Sequence, residues 1–156
     1  MIKRILNKID ISMKGARFAH LVFGKSYPAF AENVSILARQ KFGGIVFDTP
    51  SPLAQWRGRT HLTKEPGTIA WINGFDNGDI CYDIGANIGV YSLYAAVEKN
   101  AKVYSFEPSP FNFATLSRNI VLNNLSENIY AFCAALSDKT VLDCLHMSST
   151  QAGAAH

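Results

Sequence analysis

A doubly wound α/β fold built on a parallel sheet is the architecture this 156-residue sequence predicts. Three observations carry that expectation. Short apolar runs alternate with helical patterns from Asp79 onward, the links between them are short, and the first run closes in a turn with two glycines. Doubly wound sheets hold their ligands at such strand ends. With 48% hydrophobic and 17% charged residues, the composition fits one globular domain and excludes bulk disorder.

Residues 1 to about 42 read as helical, broken at "GKSYP" by Gly24 and Pro28. Ile2, Ile5, Leu6 and Ile9 share one helical face, with Lys3, Arg4 and Lys8 around the turn. A short helix packed on the domain is expected there, with membrane-surface contact as the lesser alternative. Charges interrupt every apolar run in this region, so it lacks the continuous apolar stretch of a signal peptide. No segment reaches the roughly 18 apolar residues of a membrane span. Gly43 and Gly44 end the helical region, and "IVFDTPSP" follows as a strand closed by Pro50 and Pro52. In "TKEPGTIAWI", Thr63 is the expected N-cap of a helix with Pro66 in its first turn. The division is therefore a helical N-terminal segment, 1–45, and an α/β domain, 46–156.

After the polar turn "NGFDNGD", "DICYDIG" reads as a first strand and "VYSLYAAVEKN" as a helix with small and aromatic residues inward. "AKVYSFE" is a second strand. "SPFNFATLSRNIVLNNL" is a second helix, capped by Ser109, opened by Pro110, and buried along Phe113, Leu116 and Ile120. "NIYAFCAAL" is a third strand, and "VLDCLHM" an extra edge or hairpin strand.

The net charge of +3 hides an asymmetry: residues up to Lys64 carry +8 and those from Glu65 onward −5. A basic front half can face an anionic substrate, nucleic acid or a membrane surface, or simply solvent. Cys81, Cys133 and Cys144 show no zinc spacing, and no metal is expected. Cys81 and Cys133 sit in apolar runs as small buried hydrophobes, which favours a reducing compartment, the cytoplasm.

The glycine turn runs Asp83-Ile84-Gly85-Ala86-Asn87-Ile88-Gly89. Gly85 and Gly89 permit torsions and close approach that a Cβ obstructs, and the following helix points its N–H groups into the same space. Such a cradle can take a pyrophosphate or an amino acid carboxylate. Asp83 would repel a phosphate and attract an ammonium, and the spacing is not the G-x-G-x-x-G of a dinucleotide site. Glu107 follows Asp83 by 24 residues, where a strand-end carboxylate meets a ribose diol. NAD sites also use such an acid, so Glu107 alone is ambiguous. Ammonium, carboxylate and ribose recognition together describe S-adenosylmethionine.

The segments "GDICYDIGANIGVYSLYAA", "VYSFEPSPFNFATLSRNIVLNN" and "CAALSDK" resemble the FkbM family of S-adenosylmethionine-dependent methyltransferases over about residues 46 to 145. The upstream "LTKEPGTIAWI" resembles the helix that precedes the first strand in that family. The resemblance implies a Rossmann-like class I methyltransferase fold and O-methylation of a sugar or small-metabolite hydroxyl, with no nucleic acid partner. It implies that Asp83, Gly85, Ala86, Asn87 and Gly89 contact the methionine part, Glu107 the ribose, and Pro108 the adenine side. Ser137 and Asp138 are weaker candidates at the adenine edge, and Tyr91 and Ser92 could approach the methionine end.

The implied strand order is 3-2-1-4-5-7-6, of which only strands one to three can be placed, and the family's later D-x-E-G segment is missing. The chain thus reads as a truncated N-terminal portion whose exposed first strand favours self-association. The alternative function is a non-catalytic remnant that binds the cofactor weakly or not at all. His61 and His146 are the histidines available as a base, but neither matches a family motif, so no catalytic residue is nominated.

Overall fold

A computed structural model describes residues 39–154. The expected N-terminal helix, its membrane-surface alternative and His20 fall outside the described residues, as does His156.

The described chain opens with an antiparallel hairpin of β1, Arg39–Phe42, and β2, Ile45–Asp48, with Phe42 paired to Ile45. Residues 39–42 are therefore strand, where the sequence suggested the end of a helix. The reason lies in Gly43 and Gly44, with φ of +53° and +92°. Two consecutive positive-φ residues form the tight turn whose twist matches paired strands, so this glycine pair joins strands instead of ending a helix. The hairpin also crosses the expected boundary at residue 46.

Pro52 opens helix α1, Pro52–Arg59, where the sequence suggests only the close of a strand. Pro52 occupies the first turn, and Ser51 caps it by accepting the Ala54 N–H at 3.0 Å. The helix lies on the hairpin at Gly58, where a Cβ would come within 3.1 Å of the Phe47 ring. Helix α2 spans Pro66–Asn73 with Glu65, not Thr63, at the N-cap. Pro66 sets the first helical position, which leaves the preceding residue as the cap.

The remainder is a βαβαβ unit: β3, Ile80–Ile84; α3, Val90–Lys99; β4, Lys102–Phe106; α4, Pro110–Leu122; and β5, Ile129–Phe132. The three strands are parallel in the order β3-β4-β5, with Asp83 opposite Ser105 and Phe106 opposite Phe132. Helices α3 and α4 bury Leu93, Ala95, Leu116 and Ile120 against Val103 and Ile129, with Phe113 half-buried beside them. Ser109 is the N-cap of α4 but makes no side-chain capping bond. Two asparagines of α4 hold the hairpin. Asn119 accepts the Asp48 N–H at 2.6 Å, and Asn123 brackets Val46 with bonds of 2.9 and 2.7 Å to its N–H and carbonyl. The outer strand thereby has its backbone groups met by side chains.

On the other face of the sheet, Tyr82, Tyr104 and Tyr130 stack in a ladder with centroids 5.3 and 5.2 Å apart, beside Phe106 and Phe132 at 5.0 Å. Ile80, Tyr82 and Ile84 are exposed there among the described residues. Residues 141–147 form no strand, and Leu142 is fully exposed. Strand geometry needs a ladder partner, and no described residue pairs with this stretch. Cys133 is exposed instead of buried, because β5 stops at Phe132. No helix of the described residues is long and apolar enough to cross a membrane.

Candidate functional site

A cavity of about 460 Å³ opens at the carboxyl ends of β3 and β4. Asp83, Gly85, Ala86, Asn87, Glu107 and Pro108 line it, as six of the nine sequence-derived cofactor residues. Asp83 sits at the end of β3, half-buried. Its carboxylate accepts a 2.5 Å bond from the Ser92 hydroxyl, which in turn meets Ser105 Oγ at 2.7 Å. Burial raises the Asp83 pKa against the lowering effect of the Ser92 bonds, and the negative charges of Glu107 and Glu65 raise it further. Ser92 thus serves the site by fixing Asp83 from beneath, while Tyr91 lines the cavity itself.

The turn between β3 and α3 is closed by its own hydrogen bonds. The Gly85 and Ala86 N–H groups both donate to the Phe106 carbonyl, at 2.8 and 3.0 Å, and Gly89 donates to Ala86 at 2.8 Å. Asn87, at φ +54°, donates its N–H to Glu107 Oε2 at 2.7 Å and accepts the Ile88 N–H on its own side chain at 3.0 Å. The two glycines divide their work. At Gly85, φ +78°, a Cβ would meet nothing within 4 Å, so its open face is the cavity. At Gly89, φ +86°, a Cβ would lie 2.4 Å from Leu116 Cδ1. Gly89 is therefore the N-cap at which α4 presses on α3, and it is not part of the cavity wall.

Glu107 is 4% exposed and anchors the other side. Besides Asn87, it takes the Ser109 N–H on Oε1 at 2.8 Å and Asn112 Nδ2 at 3.5 Å. Its carboxylate joins the glycine turn to the start of α4. Ser137 and Asp138 stand apart: both are exposed, bonded to each other at 3.2 Å, and absent from the cavity wall. The loop after β5 carries them out into solvent, so the adenine-edge assignment finds no support in their placement.

The wall also holds residues that the sequence does not nominate, among them Arg57, Lys64, Glu65, Asn112 and Ala154. Arg57 comes from α1, the unforeseen helix. Glu65 pairs with Lys64 at 2.6 Å, and this bond holds its carboxyl below the ordinary value. Tyr91, hydrogen-bonded to Glu65, has its phenol pushed up to about 12 by burial and by that acid. The segment Gln151–Ala154 closes the cavity from a distance. The Ala154 carbonyl accepts Asn87 Nδ2 at 2.7 Å and Asn112 Nδ2 at 2.9 Å, while Gly153 donates to Asn112 and accepts from Arg57.

His61 is a core residue. It is 3% exposed, packs between Phe47 and Tyr94 with centroids at 5.6 and 6.4 Å, and shares a 2.7 Å bond between Nδ1 and the Gly58 carbonyl. Burial lowers its pKa. His146 is exposed. Neither histidine lines the cavity.

No family model matches the chain. Curated relatives do, and they are methyltransferases. The chain is 40% identical over 53 residues to the 31-O-demethyl-FK506 methyltransferase FkbM of Streptomyces tacrolimicus, covering 33% of this chain and 20% of that protein. It is 30% identical over 131 residues to a tRNA (guanine(37)-N(1))-methyltransferase of Batrachochytrium dendrobatidis, covering 84% of this chain and 26% of the relative. The chain thus spans between a fifth and about a quarter of the length of these relatives. Among solved structures it resembles Pyrococcus horikoshii TYW2 in complex with MeSAdo, at 24% identity and a TM-score of 0.49, covering 62% of this chain and 35% of that one.

Proposed function

We propose that this chain is the cofactor-binding portion of an S-adenosylmethionine-dependent methyltransferase with a Rossmann-like class I fold. The observation that carries the reading is the convergence of Asp83, the open face of Gly85 and the buried Glu107 on one cavity. The residues fit the group. Asp83 offers a fixed carboxylate for an ammonium, and the missing Cβ at Gly85 leaves room for a closely seated chain. A carboxylate has about four acceptor positions, so Glu107 keeps capacity for a ribose hydroxyl beside its three donors. Pro108 supplies an apolar wall next to it. When bound, the cofactor supplies an activated methyl group on a sulfonium centre.

The acceptor we favour is a hydroxyl of a sugar or small metabolite, in line with the FkbM resemblance. A second reading, an RNA acceptor, draws on the +8 charge up to Lys64 and on the tRNA methyltransferase matched along most of this chain. The free cysteines among the described residues support the cytoplasm as the location, and β3, an edge of the three-stranded sheet, supports self-association.

Calorimetric titration with S-adenosylhomocysteine and with NAD tests the cofactor. Saturable binding of the first alone is expected, and binding of NAD alone would refute the reading. Fluorescence anisotropy with a tRNA transcript separates the acceptors: salt-sensitive binding favours RNA, and its absence favours the small hydroxyl.

A further inference from the structure

We infer that the Arg57 guanidinium is the receptor for the α-carboxylate of the cofactor's methionine part, an inference that rests on the cofactor reading above.

The amides of the turn itself are already engaged. In a glycine turn opening a helix, backbone N–H groups are the expected partners of an anion. Here each amide from Gly85 to Gly89 has an internal acceptor: Phe106 twice, Glu107, the Asn87 side chain and Ala86. Ser92, one turn into α3, gives both its hydroxyl and its N–H to Asp83. The turn from Gly85 to Gly89 therefore shapes the cavity without offering it a free amide, which leaves the first-turn N–H groups of Val90 and Tyr91 as the backbone donors on that wall, beside Arg57 as the cation.

The side chains make the demand sharper. Asp83, Glu65 and Glu107 all face the cavity. They suit the ammonium end of an amino acid and repel its carboxylate unless a cation intervenes. Two cations line the same wall. Lys64 is paired with Glu65 at 2.6 Å. Arg57 forms no ion pair among the described residues, and its bond there runs from Nε to the neutral Gly153 carbonyl at 2.5 Å.

That bond is an orienting one. Holding Nε–H on Gly153 fixes the plane of the fork and leaves its terminal N–H groups for a partner, the geometry in which guanidinium binds carboxylate in two-point fashion. Burial lowers the Arg57 pKa against the raising effect of Glu65, Tyr91 and Glu107 nearby, so the cation is partly stripped of water and has no bonded counter-charge. A ligand carboxylate supplies that charge. Glu65, Tyr91 and Glu107 are the ionisable groups around Arg57, and none of them bonds it.

The test uses two ligands that differ in the group at issue. S-adenosylhomocysteine carries the amino acid, and 5′-methylthioadenosine keeps the nucleoside without it. Each is titrated calorimetrically into the unaltered chain, Arg57→Ala and Arg57→Lys. Arg57→Ala should weaken S-adenosylhomocysteine by about tenfold to a hundredfold, the effect of losing a hydrogen bond to a charged group, and leave 5′-methylthioadenosine unchanged. Arg57→Lys should restore part of the loss. Equal weakening of both ligands by Arg57→Ala would mean that Arg57 only holds the Gly153 wall, and would overturn the inference. Unchanged binding of both would overturn it as well. In either case the cofactor reading survives, because the unaltered chain binds. Failure of the unaltered chain to bind either ligand defeats the cofactor reading first and the inference with it.

Discussion

Replacing Glu107 by alanine tests whether one buried carboxylate holds two loops together. Its oxygens take the N–H groups of Asn87 and Ser109 at 2.7 and 2.8 Å. In Glu107→Ala both donors lose a charged acceptor, in a place where Glu107 itself was 4% exposed. At about 1.5–3 kcal/mol for each such bond, the loss is about 3–6 kcal/mol, before any water enters the gap. Domains of this size are stable by about 5–15 kcal/mol, so the loss is a large share of the total, and the melt is run at low temperature to keep a folded baseline. Urea denaturation followed by circular dichroism at low temperature reads the change. With a slope of about 2 kcal/mol per molar urea, the midpoint should fall by roughly 1.5–3 M. Glu107→Gln keeps one acceptor oxygen and turns an amide toward the other donor, so its midpoint should fall between the two. A Glu107→Ala midpoint within about 0.3 M of the unaltered chain, at equal slope, would refute the account of Glu107 as a clamp. Because ribose binding is assigned to the same carboxylate, affinity must be measured on the folded fraction. A drop in cofactor affinity without a drop in stability would give Glu107 to the ligand alone.

The two glycines of the turn should behave differently. Gly85→Ala carries only the left-handed backbone strain, about 1–2 kcal/mol, yet should abolish measurable S-adenosylhomocysteine binding because its methyl enters the cavity. Gly89→Ala adds a collision with Leu116 and should cost about 2–5 kcal/mol in a urea melt. Equal destabilisation by both would contradict the division of roles. For Asp83, the folded pKa is raised above the unfolded value. The stability it contributes is full below the unfolded value and falls as pH rises through the folded one. Asp83→Asn, which still accepts the Ser92 bond, should therefore gain on the unaltered chain as pH rises above the ordinary carboxylate range, and urea midpoints that diverge the other way would sink the burial argument.

The βαβαβ unit was legible because its signals are local. Alternating apolar runs around Cys81 and Val103, Pro110 at a helix start and the Leu116–Ile120 stripe all have their meaning within a few residues. The same holds for the Asp83 and Glu107 strand ends, which the parallel register brings to one edge of the sheet. What stayed hidden depends on context that sequence spacing does not carry. Gly43 and Gly44 look alike as a helix stop and as a hairpin turn until the partner strand is known. Pro52 closes a strand or opens a helix, and the Ser51 cap decides it. Arg57 could not be seen as a wall residue while α1 itself was missing. Gly89 looked like a ligand glycine because its neighbour Leu116 lies a full strand and helix away. His61 is not nominated as a base in the sequence, but its enclosure by Phe47 and Tyr94 is not visible there either, because neither lies near it along the chain.

The wall made by Gln151–Ala154 has a consequence for the order in which this protein assembles. Ser51 waits for the Ala152 carbonyl across 101 residues, Arg57 for Gly153 across 96, and Asn87 for Ala154 across 67. The strands β3 to β5 and their helices close through far shorter loops, so they can form before Gln151–Ala154 reaches them. At about 5–20 residues per second on the ribosome, α1 emerges about 5–20 s before the residues that complete its face. During that interval Arg57 has no Gly153 to orient it and Asn87 no Ala154 to hold. The cavity wall thus rests on the longest-range contacts among the described residues, and by contact separation it closes after the core that it covers.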